Sequence, residues 1–103
     1  MTDHVVLVTH TANARPDDLE RCVASVAPLV GPFVSHRVIS VPRPDLMAQA
    51  RVSALGLGSI VGFVDDDDVV IPEVAALAIE EAQRCHAGVV CTDERLVFRH
   101  GGH

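Results

Sequence analysis

Tryptophan and tyrosine are absent, and phenylalanine occurs only three times in 103 residues. The core must therefore be built from Val, Leu, Ile and Ala, which dominate an apolar fraction of 49%. Lysine is missing as well: all eight basic residues are arginine, a compositional bias that carries no functional message. Cys22, Cys85 and Cys91 are odd in number and form no CxxC pair. That indicates neither a disulfide framework nor a zinc site, and they read as small buried hydrophobes in a reducing compartment. No apolar stretch approaches about 18 residues, and no basic segment followed by an apolar one opens the chain, so neither a membrane span nor a secretory signal is expected. The expected location is cytoplasmic.

What is present is acid, and it is unevenly spread. Residues 1–58 hold five acids and five arginines, whereas residues 59–103 hold nine acids and three arginines, which accounts for the whole formal charge of −6. An acidic balance without a basic stripe argues against nucleic-acid binding. The acid concentrates in Asp65, Asp66, Asp67 and Asp68, directly after the apolar run Ser59-Ile-Val-Gly-Phe-Val64 and just before Val69-Val-Ile-Pro-Glu73. Four like charges in a row are unfavourable unless a cation or solvent screens them. Carboxylates are hard ligands suited to Mg²⁺ or Mn²⁺ and, through the metal, to phosphates. A solvated acidic loop is the alternative. The position of the run, at the end of a buried-type strand, is where open α/β sheets bind ligands.

The length suits one domain with a single core. His4 to Thr9 reads as a strand buried on both faces. Thr11 to Ala14 is a loop, and Pro16 with Asp17, Asp18 and Glu20 starts a helix. Leu19, Cys22, Val23, Val26 and Ala27 mark the inner face of that helix, which Pro28 and Gly31-Pro32 close. A second strand spans Phe33 to Val41, and a second helix spans Asp45 to Leu57, with Leu46, Ala50, Ala54 and Leu57 inward. Ser59 to Val64 is the third strand. A third helix starts at Pro72-Glu73, with Val74, Leu77, Ala78, Ala82 and Cys85 inward, and stops at Gly88. Val89 to Cys91 and Leu96 to Phe98 supply one bent strand or a hairpin. The order βαβαβαβ predicts a three-layer αβα fold around a mainly parallel sheet. The first strand should lie centrally between the second and third. His100 and His103 belong to an expected tail over residues 99–103, leaving 1–98 as the domain.

Three segments resemble family 2 glycosyltransferases of the GT-A fold. Thr11-Ala-Asn13 with Arg15-Pro16, leading into Leu19-Glu-Arg-Cys-Val-Ala-Ser25, is similar to that family's opening loop and first helix. Phe63-Val-Asp65-Asp-Asp67-Asp68 followed by Pro72 resembles its DxD segment, and Ala50-Arg51 stands where the family has Ala-Arg-Asn. The resemblance implies a Rossmann-like half-domain that binds a nucleotide-diphospho-sugar and possibly transfers the sugar. Thr9, Thr11, Asn13, Arg51 and Asp65 would bind the nucleotide-sugar, and Asp67 and Asp68 would hold Mn²⁺ or Mg²⁺. The chain departs from the pattern at Val52, at Ala12, and at Val41-Pro-Arg-Pro-Asp45, which replaces a base-binding segment. The family's second half, with the acceptor site and catalytic base, has no counterpart here. The chain therefore resembles a donor-binding half, and a homodimer or a partner subunit is the expected remedy for an exposed sheet edge.

Other readings use the same residues. An inactive nucleotide-sugar-binding or structural module would keep the DxD without turnover. The run Val64 to Val69 also fits the nucleophile motif of haloacid dehalogenase-like phosphatases, with Asp65 as nucleophile and Asp67 as general acid. The lack of lysine and the 35 residues after Asp68 speak against that reading. A Toprim-like nuclease core needs a glutamate where this chain has Thr9-His10. His10 and His36 are candidate bases by residue type alone.

Overall fold

Alternating apolar runs and helix starts build an α/β domain. The computed structural model describes residues 4–12, 15–84, 89–91 and 97–100. Strand β1 (Val5–Thr11) is followed by helix α1 (Pro16–Val26), strand β2 (Val34–Ser40), helix α2 (Met47–Ala54) and strand β3 (Ile60–Phe63). Helix α3 (Pro72–Arg84) and two short strands, β4 (Val89–Cys91) and β5 (Val97–His100), complete it. The sheet order is β2-β1-β3-β5-β4. β1 thus lies between β2 and β3, as expected, and parallel to both, but with two antiparallel pairings beyond β3 the sheet is mixed and not mainly parallel.

The end of the chain settles the open choice between a bent strand and a hairpin. β4 and β5 pair antiparallel, and β5 lies antiparallel beside β3. β3 is therefore an interior strand. Arg99 and His100, read from the sequence as tail, are the last residues of β5. Asn13, Cys85, Gly88, Leu96 and His103 lie outside the described residues.

Local signals explain the helix boundaries. Pro16 occupies the first turn of α1 with Asp17 and Asp18 behind it, where a fixed φ and negative charge both favour a helix start. Pro28 ends the regular helix, and residues 27–29 tighten into a 3-10 turn. The second helix is shorter than its expected span. Only Met47–Ala54 is α-helical, with 3-10 turns at Pro44–Leu46 and Leu55–Leu57. Gly58 is extended and lies against the sheet. A Cβ there would come within 3.1 Å of Val6 Cγ2, so a side chain would push on the central strand.

Two apolar clusters flank the sheet, and strand alternation sorts residues between them. Val5, Leu7 and Ile60 pack with Cys22 and Val26 of α1 and with Ala75, Ala78, Ile79 and Ala82 of α3. Val6, Val8 and Val61 face the other way, onto Ala54 of α2. α3 corrects the expected inward face. Val74 and Leu77 are 41% and 66% exposed, and Ala75 and Ile79 are buried in their place. The first two turns of α3 are apolar nearly all round. Small alanines let the helix approach the sheet closely, and that packing selects the stripe at 75, 78, 79 and 82. Val23 of α1 and Leu57 after α2, expected inward, are both 37% exposed. Among the described residues, no helix is long and apolar enough to cross a membrane.

Candidate functional site

The acidic run begins where β3 stops. The pairing of β3 with β1 reaches one residue past the strand, because the Val64 N–H donates to the Val8 carbonyl at 3.0 Å. The chain then turns, and the Asp68 N–H donates to the Asp65 carbonyl at 3.1 Å. Val64 and Val70 are buried in the α1–α3 core, so the loop is pinned at both ends and the aspartates are lifted between them. Asp65 and Asp67 are exposed and Asp68 is half-buried. One carboxylate oxygen from each of the three lies within 4.8 Å of the others.

Strand alternation would let Asp65 and Asp67 converge and would direct Asp66 away. Asp66 is indeed outside the convergent group. The cause is different, however. The residues sit in a turn, not in extended strand, and the turn brings Asp68 into the group as well. Three hard oxygen donors at this separation suit a small divalent cation. The donor set therefore fits Mg²⁺ or Mn²⁺.

Arg51 of α2 reaches the same group. Its guanidinium donates to Asp65 Oδ1 at 3.0 Å, with the two side chains 47% and 48% exposed. The pair bridges α2 to the end of β3. His10, on β1, is buried and stacks on Phe63 with ring centroids 6.0 Å apart. His10 hydrogen-bonds the backbone carbonyl of Ala50, and its Nε2 has no hydrogen-bond partner. Burial holds its pKa below the usual histidine value. The Ala50 carbonyl opposes that shift, and the nearby Arg51 charge adds to it. His10 is thus a buried ring with a lowered pKa, not an exposed base.

The remaining expected ligands are dispersed. Thr9 is fully buried. Its Oγ1 lies 2.8 Å from His36 Nε2 and 3.9 Å from Cys22 Sγ. Desolvation lowers the pKa of His36, so both candidate bases are neutral groups committed to the packing around β1. Thr11 closes β1, and its carbonyl accepts the Val41 N–H at 2.8 Å. The structure brings Arg51, Asp65, Asp67 and Asp68 together. It does not bring the Thr9 side chain to them.

Two residues of α1 take part without having been singled out. The Cys22 thiol donates to the Asp65 carbonyl at 3.3 Å. Burial pushes the Cys22 pKa up; the Thr9 hydrogen bond opposes the shift, and the charges of Asp66, Asp68 and Asp65 add to it. Ser25 Oγ accepts the Val70 N–H at 3.1 Å and donates to the Cys22 carbonyl at 2.7 Å. Helical spacing could place 22 and 25 on one face, but only the packing of α1 against the loop makes them its partners. Comparison with family models, with curated proteins and with solved structures finds no match for this chain, so the reading of the site rests on its own residues and their geometry.

Proposed function

We propose that this chain binds a nucleotide-diphospho-sugar through a divalent cation held by Asp65, Asp67 and Asp68, as a glycosyltransferase-like, GT-A donor-binding half-domain. One observation carries the reading: three carboxylates converge within 4.8 Å at the carboxyl end of a central parallel pair of strands. Ligands of open α/β sheets collect at that end. When bound, Mg²⁺ or Mn²⁺ would neutralise a diphosphate leaving group, the Lewis-acid role that glycosyl transfer requires. Asp67 and Asp68 would hold the metal. Asp65, paired with Arg51, would sit between the metal and the ribose, and Arg51 would give the nucleotide pocket a cationic wall.

A binding module without turnover is the second reading, and the histidines favour it. His10 is buried against Phe63, and His36 is hydrogen-bonded to Thr9. Neither presents an exposed ring as a general base.

Calorimetric titration of UDP and UDP-sugars, with and without Mn²⁺, tests the site. Binding should require Mn²⁺. Asp67→Ala should abolish it, and Asp66→Ala should weaken it far less, because Asp66 lies outside the convergent group. Absence of Mn²⁺-dependent binding in the wild type would sink the proposal. Where binding is present, UDP release in the presence of a UDP-sugar separates a transferase from a binder.

A further inference from the structure

Strand β2 lies at one edge of the sheet: it pairs with β1 and with no other strand. The parallel register divides its backbone groups between two sides. The Val5 N–H donates to the Phe33 carbonyl, and the Val41 N–H donates to the Thr11 carbonyl. A parallel ladder draws its bonds from every second residue of a strand. Ser35, Arg37 and Ile39 therefore turn their backbone groups to β1, and Val34, His36, Val38 and Ser40 turn theirs outward. Gly31 takes up the outward groups of Val34, in a short antiparallel bridge at 2.9 and 3.3 Å. Beyond Ser40 the next outward donor is missing, because Pro42 has no N–H. The open row is thus His36, Val38 and Ser40, and nothing among the described residues takes up its outward N–H and C=O groups. Such a row is a template for another strand, and proteins usually blunt it with lysine, proline or a bulge. This row has none of the three, and Arg37 is the one charge within it.

We propose that a second copy of this chain pairs with this edge, β2 to β2 and antiparallel, about a two-fold axis at Val38. The open row is symmetric about that residue. A two-fold axis there sets Val38 against the partner's Val38 and His36 against the partner's Ser40, so every outward donor meets an acceptor. The charge distribution favours the same occupant. β2 and α1 belong to residues 1–58, where five acids balance five arginines, and the excess acid lies in residues 59–103. The strands of that acidic half, β3, β4 and β5, lie on the far side of β1 from β2. Two copies therefore meet through their neutral halves. Apolar side chains border the row as well: Val38 is 43% exposed and Val23 of α1 37%. Ser25 is turned to the loop after β3. Residues two apart lie about 200° from each other round a helix, so Val23 is turned the opposite way, toward β2. Pairing covers Val38 and brings Val23 to the border of the seam. The proposal does not depend on the acidic turn binding a metal.

Light scattering of the full chain at tens of micromolar should give twice the chain mass of 11.0 kDa. Val38→Pro removes only an outward N–H, so the bonds to β1 survive while the central pair of interchain bonds is lost. Dimerisation should weaken about twentyfold, at about fivefold per bond. Val38→Lys sets two like charges face to face at the axis and should also give a monomer, with partial recovery at high salt. Circular dichroism should be unchanged in both variants. Amide exchange in the wild type gives the same answer without a substitution. The Val38 and Ser40 amides should slow as the protein is concentrated and quicken on dilution, while those of Arg37 and Ile39, bonded to β1, hold constant. A monomeric wild type overturns the proposal and leaves the edge to a strand of a different protein. A dimer that both variants leave intact overturns it too, as does a Val38 amide that exchanges equally fast at every concentration. Assemblies larger than a dimer overturn the closed two-fold arrangement.

Discussion

On the α1–α3 face of the sheet, Val5, Leu7 and Ile60 are buried against two long helices. On the α2 face, Val6, Val8 and Val61 share their cluster with Ala54 as the one buried residue from the covering helix, helped by half-buried Ile39, Leu55 and Phe63. The difference comes from the covering elements. α1 and α3 run 11 and 13 residues, and α2 only eight between two 3-10 turns. A thick cover excludes water and supports an apolar core. A thin one leaves room for polar groups, and His10, Arg51 and Asp65 gather there. The acidic turn draws on both faces: its backbone is tethered to α1, and its first carboxylate is paired with α2. One face supplies backbone hydrogen bonds to the turn and the other an ion-pair partner.

The sharpest way to break this contrast is to cut one apolar side chain on each face. Leu7→Ala removes a fully buried side chain from the α1–α3 core and should cost about 2–5 kcal/mol by urea denaturation. That is a large part of a small domain's stability. Leu55→Ala, half-buried on the α2 face, should cost about 1 kcal/mol. Equal losses would mean that both faces carry the fold alike.

Lowering the pH probes each face through one histidine. His10 lies on the α2 face, and His36 is bonded to Thr9 on the α1–α3 side. Both have folded pKa values lowered from the ordinary 6.5. Below 6.5 the unfolded chain takes up protons that the folded chain refuses, so stability rises with pH in that window and falls as the pH drops toward the folded values. The urea midpoint should therefore be lower at pH 5.5 than at 7.5. His10→Asn and His36→Gln should each flatten the dependence in part. A profile flat across this range in the wild type would contradict the burial of both rings.

The smallest expected effect is at the ion pair. Arg51 and Asp65 are each about half exposed, and exposed pairs contribute about 0–1 kcal/mol. Arg51→Ala should leave the urea midpoint nearly unchanged. A loss well above that size would place the α2 face among the supports of the fold.

The sequence alone was enough to establish the alternation of strands and helices, the place of β1 between β2 and β3 and the helix start at Pro16. β-branched apolar runs, a fixed proline φ and first-turn acids act within a few residues. It also marked Asp65 to Asp68, through residue type and position after a buried strand, whereas Arg51 was marked only by the family resemblance. The tertiary structure decided the remainder. Which stripe of α3 turns inward could not be read from first turns that are apolar nearly all round, and only contact with the sheet chose Ala75 and Ile79 over Val74 and Leu77. The antiparallel docking of β5 on β3 depends on pairing between residues far apart in the chain. The tethers from Cys22 and Ser25 to the acidic turn span 43 and 45 residues. Periodicity reports which face of an element is apolar; it does not report what that face meets, and the meeting of α1 with the loop after β3 is decided only in the folded chain.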